Sequence, residues 1–161
     1  MGDSRSSITL RRACEADIPT FVRLQADAEA AYTAAFGAVR SPEERAAHWA
    51  DILRDTNSET MTILVGDEPV GYIGIFWQGA DREITYWVDR SVWGRGIASA
   101  ALASFITAVP FRPLFARVAA DNTRSVRVLE KCGFRHVNTE CSFAEQRGTE
   151  IDEFVYRLDR H

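Results

Sequence analysis

Apolar and polar positions change their spacing several times along the chain, and each change marks a predicted element. A period of two is typical of strands, and apolar residues three and four positions apart are typical of helices. The predicted strands cover residues 7–13, 60–66, 69–77, 82–89 and 114–120, and segments near 134–141 and 152–158. The predicted helices cover about 17–36, 42–55, 96–108 and 122–132.

Local signals indicate several element boundaries. Ser41 suits the N-cap of the second helix, Pro42 suits its first position, and Glu44 completes a capping box with Ser41. Gly133 follows the last helix, where glycine commonly ends one. The segment 143–150 is polar, and we expect it to be a mobile loop.

The strand over 82–89 is joined to the helix over 96–108 by a segment that contains two glycines, VWGRGIA at 92–98. Without Cβ atoms, Gly94 and Gly96 can adopt positive φ and let the backbone approach a ligand. The unpaired amides of the first helical turn favour an anion there, and Arg95 adds a positive charge. These residues alone leave open whether the segment binds phosphate or is an ordinary tight turn. A dinucleotide fingerprint would need Gly or Ala where Ser99 stands, and a nucleotide-triphosphate loop would need a Gly-Lys-Ser or Gly-Lys-Thr ending that the sequence lacks.

A second motif follows the strand over 114–120, where residues 122–134 read NTRSVRVLEKCGF. Together the two motifs resemble the signature of the GNAT acetyltransferase superfamily, specifically its branch of ribosomal-protein N-acetyltransferases called RimJ and RimL. The resemblance covers most of the chain, since segments 8–18 and 83–88 look like that family's opening strand and helix and its central strand. Trp93 departs from the Gln or Arg common in the superfamily, which removes a side-chain contact to phosphate.

The resemblance implies the GNAT fold, an α+β architecture with a mixed α/β sheet. A central, mostly antiparallel sheet of six to seven strands would be flanked by about four helices, in a single domain over 1–161. It also implies acetyl-CoA as cosubstrate, with its pyrophosphate over the amides of 94–98 and its pantetheine arm between strands 82–89 and 114–120. The implied cofactor-binding residues are Trp87, Val88, Gly94, Arg95, Gly96, Ile97, Ala98 and Asn122. Asn122 is equally well interpreted as a helix cap, and the two roles are compatible.

This cosubstrate implies attack of a neutral amine on a thioester, which needs an oxyanion donor and groups that exchange protons. We expect the oxyanion donor to be a backbone amide near Val88. Strand alternation places Glu83 and Asp89 on one face. Glu83 is the preferred base, although a charged residue at a strand start is often simply exposed, and Asp89 is assigned to the turn. Tyr86 and Ser125 are candidates for reprotonating the thiolate, with a core position and a local backbone partner as their alternatives.

The acceptor pocket is expected between the helices over 17–36 and 42–55 and the segment 141–152. His48 could face this groove or lie on the surface. Several aromatic residues could line a cleft there or belong to the core, namely Tyr32, Phe36, Trp49, Trp77 and Phe143. Cys132 resembles a core position, and a covalent acyl-cysteine mechanism is rejected because a nucleophilic cysteine needs an adjacent base.

Composition narrows the partners and the compartment. A chain of 161 residues that is 46% hydrophobic suits one domain with a real core. Its net charge of −4 argues against nucleic-acid binding and suits a cationic amine as substrate. No apolar run is long enough to cross a membrane, and residues 1–7 lack a signal-peptide core. The three cysteines do not have the spacing of metal ligands, and the three histidines do not add a metal site. We therefore expect free thiols, no bound metal and a cytoplasmic protein.

The sequence thus predicts an acetyl-CoA-dependent N-acetyltransferase that modifies a primary amine by direct attack, in the first place the α-amine of a protein N-terminus. One alternative is a small-molecule amine such as an antibiotic, a polyamine or an amino acid. Another is a sensor that binds acetyl-CoA without turnover. The final strands leave a sheet edge that would allow a homodimer.

Overall fold

A computed structural model of the protein describes residues 7–160. The strands are β1 (Ile8–Arg12), β2 (Glu59–Val65), β3 (Glu68–Gln78), β4 (Asp81–Val88), β5 (Leu114–Ala119), β6 (Arg135–Ala144) and β7 (Thr149–Leu158). The helices are α1 (Ile18–Gln25), α2 (Ala28–Ala34), α3 (Pro42–Arg54), α4 (Ile97–Ala108) and α5 (Thr123–Lys131), with 3-10 turns at Glu15–Asp17 and Arg90–Val92. Residues 1–6, on which the signal-peptide prediction depends, and His161 lie outside the described part. None of the helices within 7–160 combines the length and the apolar character needed to cross a membrane.

The seven strands form one sheet in the order β1-β2-β3-β4-β5-β7-β6. Neighbours are antiparallel except β4 and β5, which run parallel and pair at a single position, Glu83 with Phe115. The predicted mixed, mostly antiparallel sheet is therefore confirmed. Beyond the pair of Glu83 with Phe115 the two strands diverge, and a gap opens in the middle of the sheet.

The helix predicted over 17–36 is divided in the structure. A 3-10 turn ends at Asp17, α1 follows, and α2 begins after Asp27. The Asp27 carboxylate accepts a hydrogen bond from the Ala30 amide at 3.0 Å and caps the new helix. Aspartate favours caps over helix interiors, so Asp27 is the sequence signal for this break. The sheet is consequently flanked by five helices rather than about four.

The loop predicted over 143–150 is much shorter than expected. β6 continues to Ala144 and β7 begins at Thr149, which leaves residues 145–148 for the turn. Most side chains of β6 are exposed along this edge of the sheet. An edge strand with few buried residues lacks the apolar alternation that identifies a strand from sequence.

The two faces of the sheet carry different cores. On one face α4 and α5 cover a large apolar cluster in which Ile73 and Leu102 are completely buried. On the other face α1 and α3 pack over a cluster of three rings, Phe21, Trp49 and Tyr72, whose centroids are 4.6 to 5.2 Å apart. Because side chains alternate along β4, this central strand contributes residues to both faces.

A buried carboxylate connects the start of the chain to the sheet. Asp17, 3% exposed, accepts two hydrogen bonds from the Arg11 guanidinium at 2.7 Å, one from Thr62 Oγ1 at 2.8 Å and one from the Cys14 amide at 3.0 Å. The hydrogen bonds from Arg11, with those from Cys14 and Thr62, hold the pKa of Asp17 well below its ordinary value despite burial. β1, β2 and the first helical turn are thereby held together.

We expect Asp17→Asn to lower the free energy of unfolding by about 2 kcal/mol at pH 7, because hydrogen bonds to a charged group are lost. A lowered folded-state pKa means that the contribution of Asp17 is complete above its unfolded pKa of about 3.9 and is lost as the pH falls below it. Denaturant unfolding at pH 7 and pH 3 should therefore show a smaller difference between wild type and variant at pH 3.

Asp51→Asn is the matched control, because Asp51 pairs with Arg54 on the exposed surface of α3. It should change stability by less than about 0.5 kcal/mol at either pH. An equal deficit of the Asp17 variant at both pH values would contradict the charged network.

Candidate active site

The candidate site begins at the gap between β4 and β5. The Asp89 amide donates to the Val70 carbonyl at 2.7 Å, which sets the alternation of hydrogen bonds between β3 and β4. Val88 faces Gly71 as a pair without direct hydrogen bonds, so the Val88 backbone groups point into the gap. The Val88 carbonyl accepts a hydrogen bond from Trp93 Nε1 at 2.9 Å. The Val88 amide points into the same gap.

The turn after β4 leads into an open loop. Asp89 accepts a hydrogen bond from the Ser91 amide at 2.9 Å, which confirms its assignment to the turn. Gly94 and Gly96 both adopt left-handed backbone, with φ of +83° and +74°, and α4 begins directly afterwards. A Cβ atom at either glycine would have no neighbouring atom within 4 Å. Open space therefore lies beside both glycines at the start of α4, where a helix N-terminus favours a phosphate group.

Arg124 places a positive charge beside this loop, and the sequence did not predict this position. The Arg124 guanidinium carbon lies 4.6 Å from the centre of the Trp93 ring, a distance typical of cation–π contact. Trp93 thus holds an arginine beside the loop, at the position where it lacks a side-chain phosphate contact of its own. Arg124 lies in the second motif, and only the fold brings it beside the first.

A cavity of about 410 Å³ extends from this loop into the gap. It is lined by most of the predicted cofactor-binding residues, namely Trp87, Val88, Gly94, Gly96, Ile97, Ala98 and Asn122. Arg124 and Arg127 also line this cavity, whereas Arg95 does not. Backbone groups of successive β4 residues point alternately toward β3 and away from it. The amide and carbonyl of Trp87 point toward Tyr72 of β3, so Trp87 lines this cavity with atoms other than these two groups.

The predicted proton donors meet at the end of this cavity. Tyr86 Oη and Ser125 Oγ are 2.6 Å apart. The Asn122 side chain accepts a hydrogen bond from the Ser125 amide at 3.3 Å, which confirms its role as the cap of α5. Burial raises the pKa of Tyr86 well above its ordinary value, so the phenol stays protonated at neutral pH. The pair therefore holds at least one hydroxyl proton inside the fold.

A second cavity of about 780 Å³ lies on the α1 and α3 side of the sheet. It shares five lining residues with the first cavity, namely Ala34, Tyr86, Trp87, Asn122 and Ser125. The two cavities therefore meet at the Tyr86–Ser125 pair. A molecule in one cavity can therefore approach a molecule in the other at this junction.

Glu83 lies in the second cavity and is buried, so the alternative of an exposed strand-start residue is wrong. It is 6% exposed, and its Oε1 accepts a hydrogen bond from Arg117 Nε at 2.8 Å. Arg117 also pairs with Glu153 at 3.3 Å and Glu140 at 2.6 Å. Burial raises the pKa of Glu83, and the Arg117 charge offsets only part of that effect. Three carboxylates thus share one guanidinium, which favours a proton acceptor at Glu83.

The second cavity has a wall made by the segment after α2, which is held by the β6–β7 turn. The Gln146 amide donates to the Ala35 carbonyl at 3.0 Å, and its side chain donates to the Gly37 carbonyl at 2.9 Å. Arg147 donates to the Tyr32 carbonyl at 2.8 Å and to both oxygens of Asp121 at 2.6 and 2.9 Å. We call this set of contacts the Arg147 latch.

Several candidate acceptor-side residues are separated by the structure. Phe36, Trp49 and His48 line the second cavity, as expected of residues that face the groove. The prediction was wrong for the others, because Tyr32, Trp77 and Phe143 are 57%, 46% and 58% exposed and line neither cavity. The spacing of apolar residues does not show whether an aromatic side chain at a sheet edge or in a hairpin faces the protein or the solvent.

Cys132 has the features of a structural thiol. Its Sγ donates to the Ser99 carbonyl at 3.7 Å, and burial raises its pKa, which opposes formation of a thiolate. Cys14, Cys132 and Cys141 are all free. Within residues 7–160, no group of three potential His, Cys, Asp or Glu ligands could hold a metal ion.

Known proteins with the same features are found by sequence and by structure. A family model of the acetyltransferase (GNAT) domain matches residues 7–135. An uncharacterized N-acetyltransferase p20 of Bacillus licheniformis is 28% identical over 99 residues, which make up 57% of this chain and 56% of that protein. The alignment thus spans little more than half of the length of this relative.

Solved structures resemble the whole chain. RimJ of Mycobacterium smegmatis, in complex with CoA-disulfide, is 26% identical with a TM-score of 0.76, covering 94% of this chain and 81% of that one. A RimL alpha-N-protein acetyltransferase with coenzyme A is 21% identical with a TM-score of 0.82, covering 96% and 94%. Spermidine N-acetyltransferase of Vibrio cholerae, with CoA and spermine, is 15% identical with a TM-score of 0.83, covering 96% of each chain.

The mixed sheet, the gap between β4 and β5 and the glycine loop at the start of α4 are features of an acetyltransferase domain. The chain belongs to the GNAT acetyltransferase family, as the family match over 7–135 shows. The predicted family and fold are confirmed.

We expect Arg124→Gln to weaken CoA binding about tenfold, because a charged hydrogen-bond donor beside the glycine loop is lost. Calorimetric titration with CoA measures this loss, and 3′-dephospho-CoA locates it. A loss of equal size for both ligands assigns the contact to the pyrophosphate. Arg54→Gln, an exposed arginine of α3, serves as the matched control and should leave both affinities unchanged. Unchanged CoA affinity in the Arg124 variant would overturn this assignment.

Proposed function

We propose that this chain transfers the acetyl group of acetyl-CoA to a primary amine, in the first place the α-amine of a protein N-terminus. The observation that carries the proposal is the junction of two cavities at Tyr86 and Ser125. One cavity starts at the glycine loop, and the other is large enough for an extended acceptor. The same proposal includes a single domain over 1–161 and a cytoplasmic location. The three free cysteines support the cytoplasmic location, because thiols stay reduced in that compartment.

The residues proposed to hold acetyl-CoA line the first cavity, except Arg95, which lies in the adjoining glycine loop. The pyrophosphate is assigned to the amides after the glycine loop and to Arg124, and the pantetheine arm to the gap beside Val88. The full set consists of Trp87, Val88, Gly94, Arg95, Gly96, Ile97, Ala98, Asn122 and Arg124. When bound, acetyl-CoA supplies the acetyl group as a thioester that a neutral amine can attack.

The identity of the amine decides how strong a base the site needs. Neutralising a lysine side chain with a pKa near 10.4 costs about 4.6 kcal/mol at pH 7, whereas an α-amine with a pKa near 7.8 costs about 1 kcal/mol. A protein N-terminus therefore needs only a weak base. The second cavity supplies buried carboxylates at Glu83 and Glu153, of which Glu83 is the proposed base.

Glu83 is proposed to accept the ammonium proton through water. Glu83 precedes Val88 by five residues, which is about 16 Å along an extended strand. Direct contact with an amine beside Val88 is thus excluded, and water in the second cavity bridges the distance. At the other side of the junction, Tyr86 Oη, paired with Ser125 Oγ, supplies a proton to the departing thiolate.

A small-molecule amine is the second candidate acceptor. It is supported by Glu83 and Glu153, two buried carboxylates that line the second cavity and suit a polycation. The fold similarity to a spermidine N-acetyltransferase points in the same direction. A homodimer through the β6 edge remains part of the proposal, because β6 pairs with β7 alone among the described strands.

The proposal is tested by calorimetric titration with acetyl-CoA, followed by thiol release in the presence of separate acceptors. The panel contains peptides with free N-termini, free amino acids and spermidine. We expect acetyl-CoA to bind and one acceptor class to stimulate thiol release. Binding without release for every acceptor would favour the sensor, and absence of binding would overturn both functions.

We expect Glu83→Gln to lower kcat about a hundredfold at pH 7 while CoA affinity is unchanged, as for loss of a general base. Glu83 works only when ionised, and its pKa is raised, so wild-type kcat should fall as the pH drops through that raised pKa. The variant should lack this acid limb, which a pH series of kcat measures.

The matched control is Glu140→Gln, which removes a carboxylate from the same Arg117 cluster at an exposed position. It should retain both kcat and the acid limb. If Glu83→Gln also retained them, water alone would be the base.

A further inference from the structure

Three side chains on the acceptor side of the site form a hydrogen-bonded chain. Trp49 Nε1 of α3 lies 3.0 Å from Gln25 Oε1 of α1, and Gln25 Nε2 lies 3.0 Å from Tyr72 Oη of β3. All three residues line the second cavity. Neither the sequence motifs nor the proposed proton transfers involve them.

The direction of this chain is fixed by the tryptophan. An indole N–H can only donate, so the amide oxygen of Gln25 must face Trp49. The amide nitrogen of Gln25 then faces Tyr72, and the Tyr72 oxygen has to accept. The hydroxyl hydrogen of Tyr72 must consequently point somewhere else.

The Tyr72 hydroxyl hydrogen has no protein acceptor among the hydrogen bonds of residues 7–160. Tyr72 is only 4% exposed, and the rings of Phe21 and Trp49 hold it at centroid distances of 5.2 and 4.6 Å. Burial raises the pKa of Tyr72, so the hydroxyl stays protonated. A fixed, buried donor without an acceptor at the wall of a cavity is costly unless a ligand or water accepts its hydrogen bond.

Tyr72 lies close to the junction of the two cavities. It is the register partner of Trp87, which lines both of them. Directly opposed residues of antiparallel strands have Cα atoms about 5 Å apart. Directly opposed side chains lie on the same face of the sheet, so the Tyr72 donor is in the part of the second cavity that adjoins Trp87. Arg40, which lines the same cavity, adds a positive charge on this side.

We infer that Tyr72 is a specificity residue whose hydroxyl donates a hydrogen bond to an oxygen on the carbon next to the acceptor amine. This inference rests on the proposed function and names its substrate class as α-amino acyl compounds, whose carbonyl or carboxylate oxygen has that position. Polyamines carry no such oxygen. They would leave the Tyr72 donor without a partner, so the cavity discriminates against them.

The test uses the CoA-bound enzyme, so that acceptor binding is measured without turnover. The probes are an alanyl peptide, free alanine and spermidine, titrated by calorimetry in the presence of saturating CoA. We expect Tyr72→Phe to weaken binding of the α-amino acyl probe about tenfold and to leave spermidine binding unchanged. The peptide contributes a carbonyl and free alanine a carboxylate, so the probe that loses affinity identifies the oxygen.

Two further variants separate recognition from folding. Tyr156→Phe removes a hydroxyl from another buried tyrosine, which donates to Glu130 at 3.0 Å and lines neither cavity, and it should change no affinity. Gln25→Glu keeps the shape but accepts hydrogen bonds from both Trp49 and Tyr72, which withdraws the hydroxyl hydrogen from the cavity. It should reproduce the loss seen with Tyr72→Phe. Each variant is checked for unchanged CoA affinity and thermal unfolding.

The inference is overturned if Tyr72→Phe binds alanyl peptide and alanine as the wild type does. It is equally overturned if wild-type enzyme binds spermidine but neither α-amino acyl probe. Thiol release from acetyl-CoA is recorded separately on the same samples. Intact binding discrimination without thiol release would contradict the proposed catalysis while supporting the role of Tyr72.

Discussion

The single parallel pairing between β4 and β5 is the constraint on which the rest of the site depends. Two strands that pair only at Glu83 and Phe115 leave backbone groups further along without strand partners. Buried backbone groups need hydrogen bonds. Trp93 satisfies the Val88 carbonyl, and the Val88 amide is directed into the gap. Ligand binding is thus prepared by an interrupted sheet, and the apolar clusters on its two faces hold that interruption open.

The same interruption separates two electrostatic environments. The cofactor side offers backbone amides, a helix N-terminus and arginines, all of which suit phosphate. The acceptor side contains buried carboxylates around Arg117 and a tyrosine donor. The hydrogen-bonded Tyr86–Ser125 pair belongs to both sides. Neutral hydroxyls thus occupy the junction of the two cavities.

The sequence predicted most of the fold, because strands and helices with one buried face carry a periodic signal. It failed where that signal is weak or misleading. β6 lies at an edge and buries little, and the short helix α2 continues the apolar spacing of α1 across its cap at Asp27. The glycine loop and the Asn122 cap depend on local residue types, so they were readable from the chain. Arg124 over Trp93, Glu83 beside Arg117 and the chain from Trp49 to Tyr72 join residues distant in sequence, and only tertiary packing reveals them.

The Arg147 latch connects two parts of the site that are otherwise independent. Arg147 binds the backbone before the α2–α3 segment, which forms a wall of the acceptor cavity, and it also binds Asp121. Asp121 directly precedes Asn122, which caps α5 at the junction of the two cavities. Any displacement of that wall large enough to admit a bulky acceptor must break the pair with Asp121 or pull on it. Opening of the second cavity is thereby mechanically coupled to the alignment of α5, which lines both cavities.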